Sequence, residues 1–142
     1  MPRIDRSRLT AARFPVVKIV ETRIDDVDVQ GHINNGAAVV ILQEARAHFH
    51  RTARLPELRD GLRVMVAGLT VEYAAEMHHP DPIEVHSGIL HLGRSSYVIG
   101  QVARQCGRDC LYVEVAVAMA NADGPAPMPE ALRDSFEALR IV

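Results

Sequence analysis

Between Asp26 and Gly36 the chain reads Asp-Val-Asp-Val-Gln-Gly-His-Ile-Asn-Asn-Gly. Carboxylates, an imidazole and amides are crowded there into a stretch that must also make a turn and start a helix. Gly31 suits a sharp turn that takes positive φ. Asn34 and Asn35 are N-cap candidates, since their side chains accept bonds from the unpaired first N–H groups of a helix. Gly36 lets a ligand approach the backbone closely, so the helix N-terminus and its dipole point at whatever Asp28 faces. A carboxylate beside an electropositive helix end suits acyl transfer, in which one group attacks or activates water and the other stabilises an oxyanion.

The elements that would position these groups follow from periodicity. Residues 14–24 are rich in β-branched side chains and read as a first strand, with Pro15 at its beginning. From Ile33 to about Leu55, apolar residues recur at Ala37, Val40, Ile41, Ala45, His48, Phe49 and Thr52, which is helical spacing. Pro56 ends that helix or begins the loop after it. Residues 63–73, 83–92, 96–104 and 110–120 then read as strands, joined in part by Gly93-Arg94 and Gly107-Arg108-Asp109 hairpin turns. A Gly/Pro-rich loop follows, and a short terminal helix starts near Pro129. The expected fold is α+β, with one long helix covering a five-stranded antiparallel sheet whose edges invite self-association.

At 142 residues the chain reads as a flexible, solvated tail over 1–13 followed by one domain over 14–142, large enough to bury roughly two-thirds of its unfolded surface. The formal net charge of −2 argues against a general nucleic-acid binder. No apolar run approaches the ~20 residues that span a bilayer, and the first thirteen residues lack a signal-peptide core. The expectation is a cytoplasmic protein without membrane partners. Arg3, Arg6, Arg8 and Arg13 in the tail face one acid, Asp5, leaving an anion-binding arm or transit peptide as the alternatives to a solvated tail. Cys106 and Cys110 have no nearby histidines and read as reduced thiols. His78-His79-Pro80-Asp81-Pro82 reads as a turn rather than a metal site.

The motif Asp-x-Asp-x-x-Gly-His-x-Asn-Asn, here Asp26 to Asn35, is followed by Glu44-Ala45-Arg46 on the helix. With Val71-Glu72-Tyr73, Leu92-Gly93-Arg94-Ser95-Ser96-Tyr97 and Met128-Pro129-Glu130, it resembles the hotdog-fold acyl-CoA thioesterases of the 4-hydroxybenzoyl-CoA thioesterase-like branch. The resemblance runs from about Phe14 to Leu139. It implies a hydrolase needing neither metal nor cofactor and acting on an acyl-CoA or acyl-carrier-protein thioester. Asp28 would be nucleophile or general base. Backbone N–H groups near Asn35 and Gly36 would polarise the thioester carbonyl, and His32 and Asn35 would orient the reacting groups. Family members pair sheets edge to edge as homodimers, often doubled to homotetramers, with pantetheine entering between chains.

Ala38 departs from the family, whose members usually carry an aromatic residue there; a small residue implies a roomier acyl pocket or one filled from elsewhere. Asn34, Ala38, Glu44, Tyr73, Arg94, Ser95 and Ser96 complete the set of residues expected near substrate. Several have plainer readings. Asp28 could merely cap an Asx turn, Asp26 reads as holding the turn, and His32 could be a helix-start residue bonded to backbone. Glu44 reads as buried and paired with a nearby arginine, with supply across a subunit interface as the alternative. Arg94, Ser95 and Ser96 could touch pantetheine or phosphate, or simply turn the chain. A hotdog enoyl-thioester hydratase would also use Asp and His, but usually carries Asn-Pro where this chain has Val29-Gln30-Gly31. A non-catalytic acyl-CoA-binding module is the remaining alternative.

Overall fold

The computed structural model describes residues 3–142. Five strands form one antiparallel sheet: β1 (Val16–Val20), β2 (Arg63–Tyr73), β3 (Ile83–Leu92), β4 (Ser96–Gln105) and β5 (Arg108–Asn121). Their spatial order is β1-β3-β4-β5-β2, and a two-residue β6 (Gly124–Pro125) adds to β5. The β3-β4 and β4-β5 neighbours are hairpins. The second turns at Cys106-Gly107, both with positive φ, one residue earlier than the sequence suggests. That leaves Cys106 exposed in the turn and Cys110 buried in β5, both as free thiols.

The helix α1 (Asn35–Thr52) lies across one face of this sheet. It ends at Ala53, and Arg54 in the left-handed region starts α2 (Leu55–Leu58), where Pro56 occupies a first-turn position. The helix buries Ala38, Ile41, Leu42, Ala45 and Phe49. Ile41, Ala45 and Phe49 are the expected residues, but Val40 is 64% exposed. Residues 37–42 are all apolar, so periodicity cannot choose the buried face there; contact with the sheet does. Inward-facing Ile99, Val113, Val115 and Met119 meet the helix, and α3 (Glu130–Glu137) closes the far end. There Tyr97 packs against Phe136, ring centroids 4.5 Å apart, and Phe136 against Phe49 at 6.3 Å.

The N-terminal residues expected to be a solvated tail are instead packed on the sheet's outer face. Ile4, Leu9 and Phe14 are buried there with Val102, beside Leu90, Tyr112 and Ile141. Glycines in β3 and β4 explain the fit. A Cβ at Gly100 would lie 2.8 Å from Leu9 Cδ2 and 2.9 Å from Ile141 Cδ1. At Gly88 it would lie 2.8 Å from both Ile141 Cγ1 and Pro15 Cδ. Both chain ends thus fill a slot that side chains would close. Polar contacts fix the segment: the Ile4 N–H donates to Glu72 Oε2 (2.6 Å), and Arg6 pairs with Glu72 (3.0 Å) while covering the Tyr112 ring. Arg6 is therefore committed to an acid of the sheet.

Candidate active site

The Asp26–Gly36 stretch folds into a tight loop because its polar side chains satisfy its own backbone. Asp26 Oδ2 accepts from the Arg23 N–H (2.9 Å), and its carbonyl accepts from the Asn34 N–H (2.7 Å). Asp26 therefore holds the loop together. The Asp28 carbonyl accepts from the Gly31 N–H (3.1 Å), and the Asp28 N–H donates to the His32 carbonyl (2.9 Å). Gly31 supplies the required positive φ, 82°. Asp28 Oδ1 accepts from the Gln30 N–H (2.9 Å) and the His32 N–H (3.2 Å). The Asx turn and an active carboxylate are thus compatible: one oxygen anchors the side chain and Oδ2 is left to the adjoining cleft.

Helix α1 starts beside this loop. Asn34 is its N-cap, and its Oδ1 accepts from the Gly36 N–H at 2.7 Å. That bond corrects one expectation: the Gly36 N–H is engaged by the cap and is not a free oxyanion donor. Asn35, the first helical residue, lines the cleft instead. No acidic residue lies in the first turn, so the helix dipole is uncompensated there.

The cleft has a volume of about 350 Å³ and brings together Asp28, His32, Asn35, Ala38 and Tyr73 from the expected set. Ile33, Met77 and Leu111 form apolar wall. Ala38 is buried and contributes to the wall as well. The Tyr73 hydroxyl donates to the Asn35 carbonyl at 3.3 Å, linking the end of β2 to the helix start. The return of the chain after β2 also delivers a residue that sequence reasoning missed. His32 Nε2 lies 3.0 Å from Glu76 Oε2, and the His32 and His78 rings form a T-shaped pair with centroids 5.3 Å apart. Nothing in the chain position of Glu76 marks it. It reaches His32 because the Ile33 N–H bonds the Met77 carbonyl (2.8 Å), a long-range contact.

The structure separates Glu44, Arg94, Ser95 and Ser96 from the cleft. Glu44 is exposed, contrary to the expected buried pair, and lines a shallow pocket with Glu21 and Asp26. Its position nine residues after Asn35 puts it ~13 Å along the helix. The 94–96 turn belongs to the β3-β4 hairpin. Strand register puts Ser96 seven residues from Ala103, the β4 residue level with Tyr73 and Leu111, or ~24 Å away. The Arg94 and Ser95 carbonyls there accept from the Met128 (2.9 Å) and Met119 (2.8 Å) N–H groups. Within one chain that hairpin is turn structure. Among the described residues, no three of His, Cys, Asp and Glu converge where a metal could be held, and no helix is long and apolar enough to cross a membrane.

The sequence model of the Thioesterase-like superfamily matches residues 22–136. No curated protein matches the chain. Among solved structures, a thioesterase complexed with coenzyme A and Zn from Thermus thermophilus is 28% identical, with a TM-score of 0.80 over 89% of this chain and 95% of that one. A 1,4-dihydroxy-2-naphthoyl-CoA thioesterase from Synechocystis is 13% identical, with a TM-score of 0.77 over 87% and 96%. A protein from Pseudomonas aeruginosa is 21% identical, with a TM-score of 0.81 over 92% and 95%. The last two likenesses establish the fold alone, the curled antiparallel sheet around a long helix expected from the sequence.

Proposed function

The chain belongs to the Thioesterase-like superfamily, and on that premise we propose that it hydrolyses an acyl-CoA thioester to free CoA and a carboxylic acid, with Asp28 as the reacting carboxylate. The observation that carries this reading is the posture of Asp28. Its Oδ1 is pinned by two loop N–H groups, and its side chain faces a cleft shared with the first residue of α1. A carboxylate so fixed loses little freedom when it acts. In one route Oδ2 takes a proton from water as the water oxygen bonds the thioester carbon. In the other, Oδ2 bonds that carbon itself and water later cleaves the anhydride. Either way the carbonyl electron pair moves onto oxygen, facing the positive end of α1. Collapse of that oxyanion expels the CoA sulfur as thiolate.

His32, braced by Glu76, orients the acyl group or the water from the cleft wall. The proposed substrate enters as a CoA or carrier-protein thioester, in keeping with the coenzyme A bound by the Thermus relative. The proposed assembly is a homodimer through β2, an edge strand that exposes Met65, Val66, Leu69 and Tyr73.

The test is thiol release from a panel of acyl-CoAs by the native protein and Asp28→Asn. Asparagine retains Oδ1 to accept both loop bonds, so the variant keeps its fold while losing the basic, nucleophilic oxygen. A fall of at least ~10²-fold in kcat is expected. Full activity in Asp28→Asn would remove Asp28 from the chemistry, and water addition to an enoyl-CoA without thiol release would establish a hydratase instead.

A further inference from the structure

At the opposite end of α1 and β2 from Asp28 lies a second concavity of about 300 Å³. Its walls are apolar: Leu55 from α2, Val64 and Val66 from β2, and Val117 from β5. Three polar side chains of α1 border it, Gln43, Arg46 and His50. The His50 ring is spoken for, because its Nε2 shares a 2.9 Å hydrogen bond with the buried Tyr97 hydroxyl. Burial, with Arg46 as a neighbouring charge, depresses the His50 pKa to about 4, so the imidazole is neutral at pH 7 and offers an anion no charge.

Arg46 is different. It is partly buried, which pulls its pKa below the usual guanidinium range, and no carboxylate compensates. Among the described residues it takes part in none of the ion pairs that occupy Arg6, Arg23, Arg54, Arg104 and Arg140. A fork of donors partly stripped of water, without an anion, above an apolar floor is a recognition element awaiting its charge partner.

We propose that this concavity binds an organic carboxylate, whose charge meets the Arg46 guanidinium and whose apolar body rests on Leu55, Val64, Val66 and Val117. The carboxylate has two possible sources. It can be a free acid, or it can be the distal carboxylate of an acidic acyl group held in the Asp28 cleft of a second copy. The second source rests on the thioesterase reading. Two-fold antiparallel pairing of β2 about its midpoint, Gly68, would set Tyr73 of one copy level with Arg63 of the other, next to Val64. That places the cleft of one chain beside the Arg46 concavity of its mate.

The experiment is calorimetric titration of the protein with glutarate and benzoate as free probes, for the native chain, Arg46→Met and Ala47→Glu. Methionine keeps an aliphatic stem and removes the fork. Glutamate at the pocket-lining, exposed Ala47 supplies a competing carboxylate in place, and does so without altering Arg46. Saturable binding to the native chain, weakened at least tenfold in both variants, is expected. No binding at millimolar probe, or binding by both variants as tight as that of the native chain, overturns the proposal. So does an Arg46→Met change that moves only the oligomeric state in size-exclusion chromatography. Turnover of glutaryl-CoA and valeryl-CoA then separates the sources. For an acyl-borne carboxylate, Arg46→Met lowers kcat/KM for glutaryl-CoA at least tenfold and leaves valeryl-CoA unchanged. For a free acid, both substrates respond alike. If the native chain hydrolyses neither thioester, the acyl-borne source is overturned, while the titration still decides the site and the wider acyl-CoA panel decides the thioesterase reading.

Discussion

Asp28 and Asn34 show how short polar side chains serve fold and site together. Each uses one oxygen to satisfy backbone N–H groups, Asp28 across the loop and Asn34 at the helix start. Replacing Asn34 by Ala should cost about 1 kcal/mol in a urea titration, the usual loss on removing an N-cap. It should also lower activity beyond that loss, because the freed helix end shifts against the cleft; unchanged kcat would disconnect the cap from the site. Glu76→Gln tests the brace on His32: the expected result is an altered pH profile of kcat/KM with little change in melting temperature. An effect on stability alone would make the pair structural. His50 carries a prediction of opposite character. Its folded pKa of about 4 lies below the unfolded value near 6.5, so the unfolded chain binds the proton first. The His50 contribution is fully present above pH 6.5 and is lost as pH falls toward 4, up to about 3 kcal/mol. Thermal melts between pH 7 and 4.5 should show that slope, and His50→Gln should flatten it.

At the scale of elements, the sheet's outer face is shaped by what Gly88 and Gly100 omit. Leu9, Pro15 and Ile141 occupy the space that Cβ atoms would take. The two chain ends are also joined directly: Arg13 Nε donates to the Val142 carbonyl, and the Val142 N–H returns a bond to the Arg13 carbonyl (3.0 Å). Gly88→Val should destabilise the protein by about 1–3 kcal/mol through overpacking against Pro15 and the Leu139 carbonyl. Trypsin should then cut sooner at the exposed Arg6, Arg8 and Arg13, before the sheet unfolds as judged by circular dichroism. Equal cleavage rates in the variant and native chain would show that packing at Gly88 does not hold the segment.

For the whole molecule, the proposed assembly rests on β2. Its length, edge position and exposed apolar side chains leave eleven residues of strand open on one side. Leu69→Asp would place a charge at the middle of that edge. Light scattering should find the native chain dimeric and the variant monomeric. Thiol release should fall in the same variant if a second copy completes the substrate pocket. A native monomer with full activity would confine the site to one chain.

The sequence by itself determined the loop chemistry, the antiparallel strands and the helix start, because each is written in local terms. Turn glycines, capping amides, alternating strands and hairpin spacings act over a few residues, and Asp28, His32, Asn35, Ala38 and Tyr73 do meet in one cleft. Tertiary structure decided what depends on distant contact. It turned α1 so that Ala38 and Leu42 are buried and Val40 is not. It left Glu44 exposed. It brought Glu76 to His32 and laid residues 3–13 over the glycine-lined face. In each case the outcome hangs on which surface another element presents, and no local pattern of residues carries that.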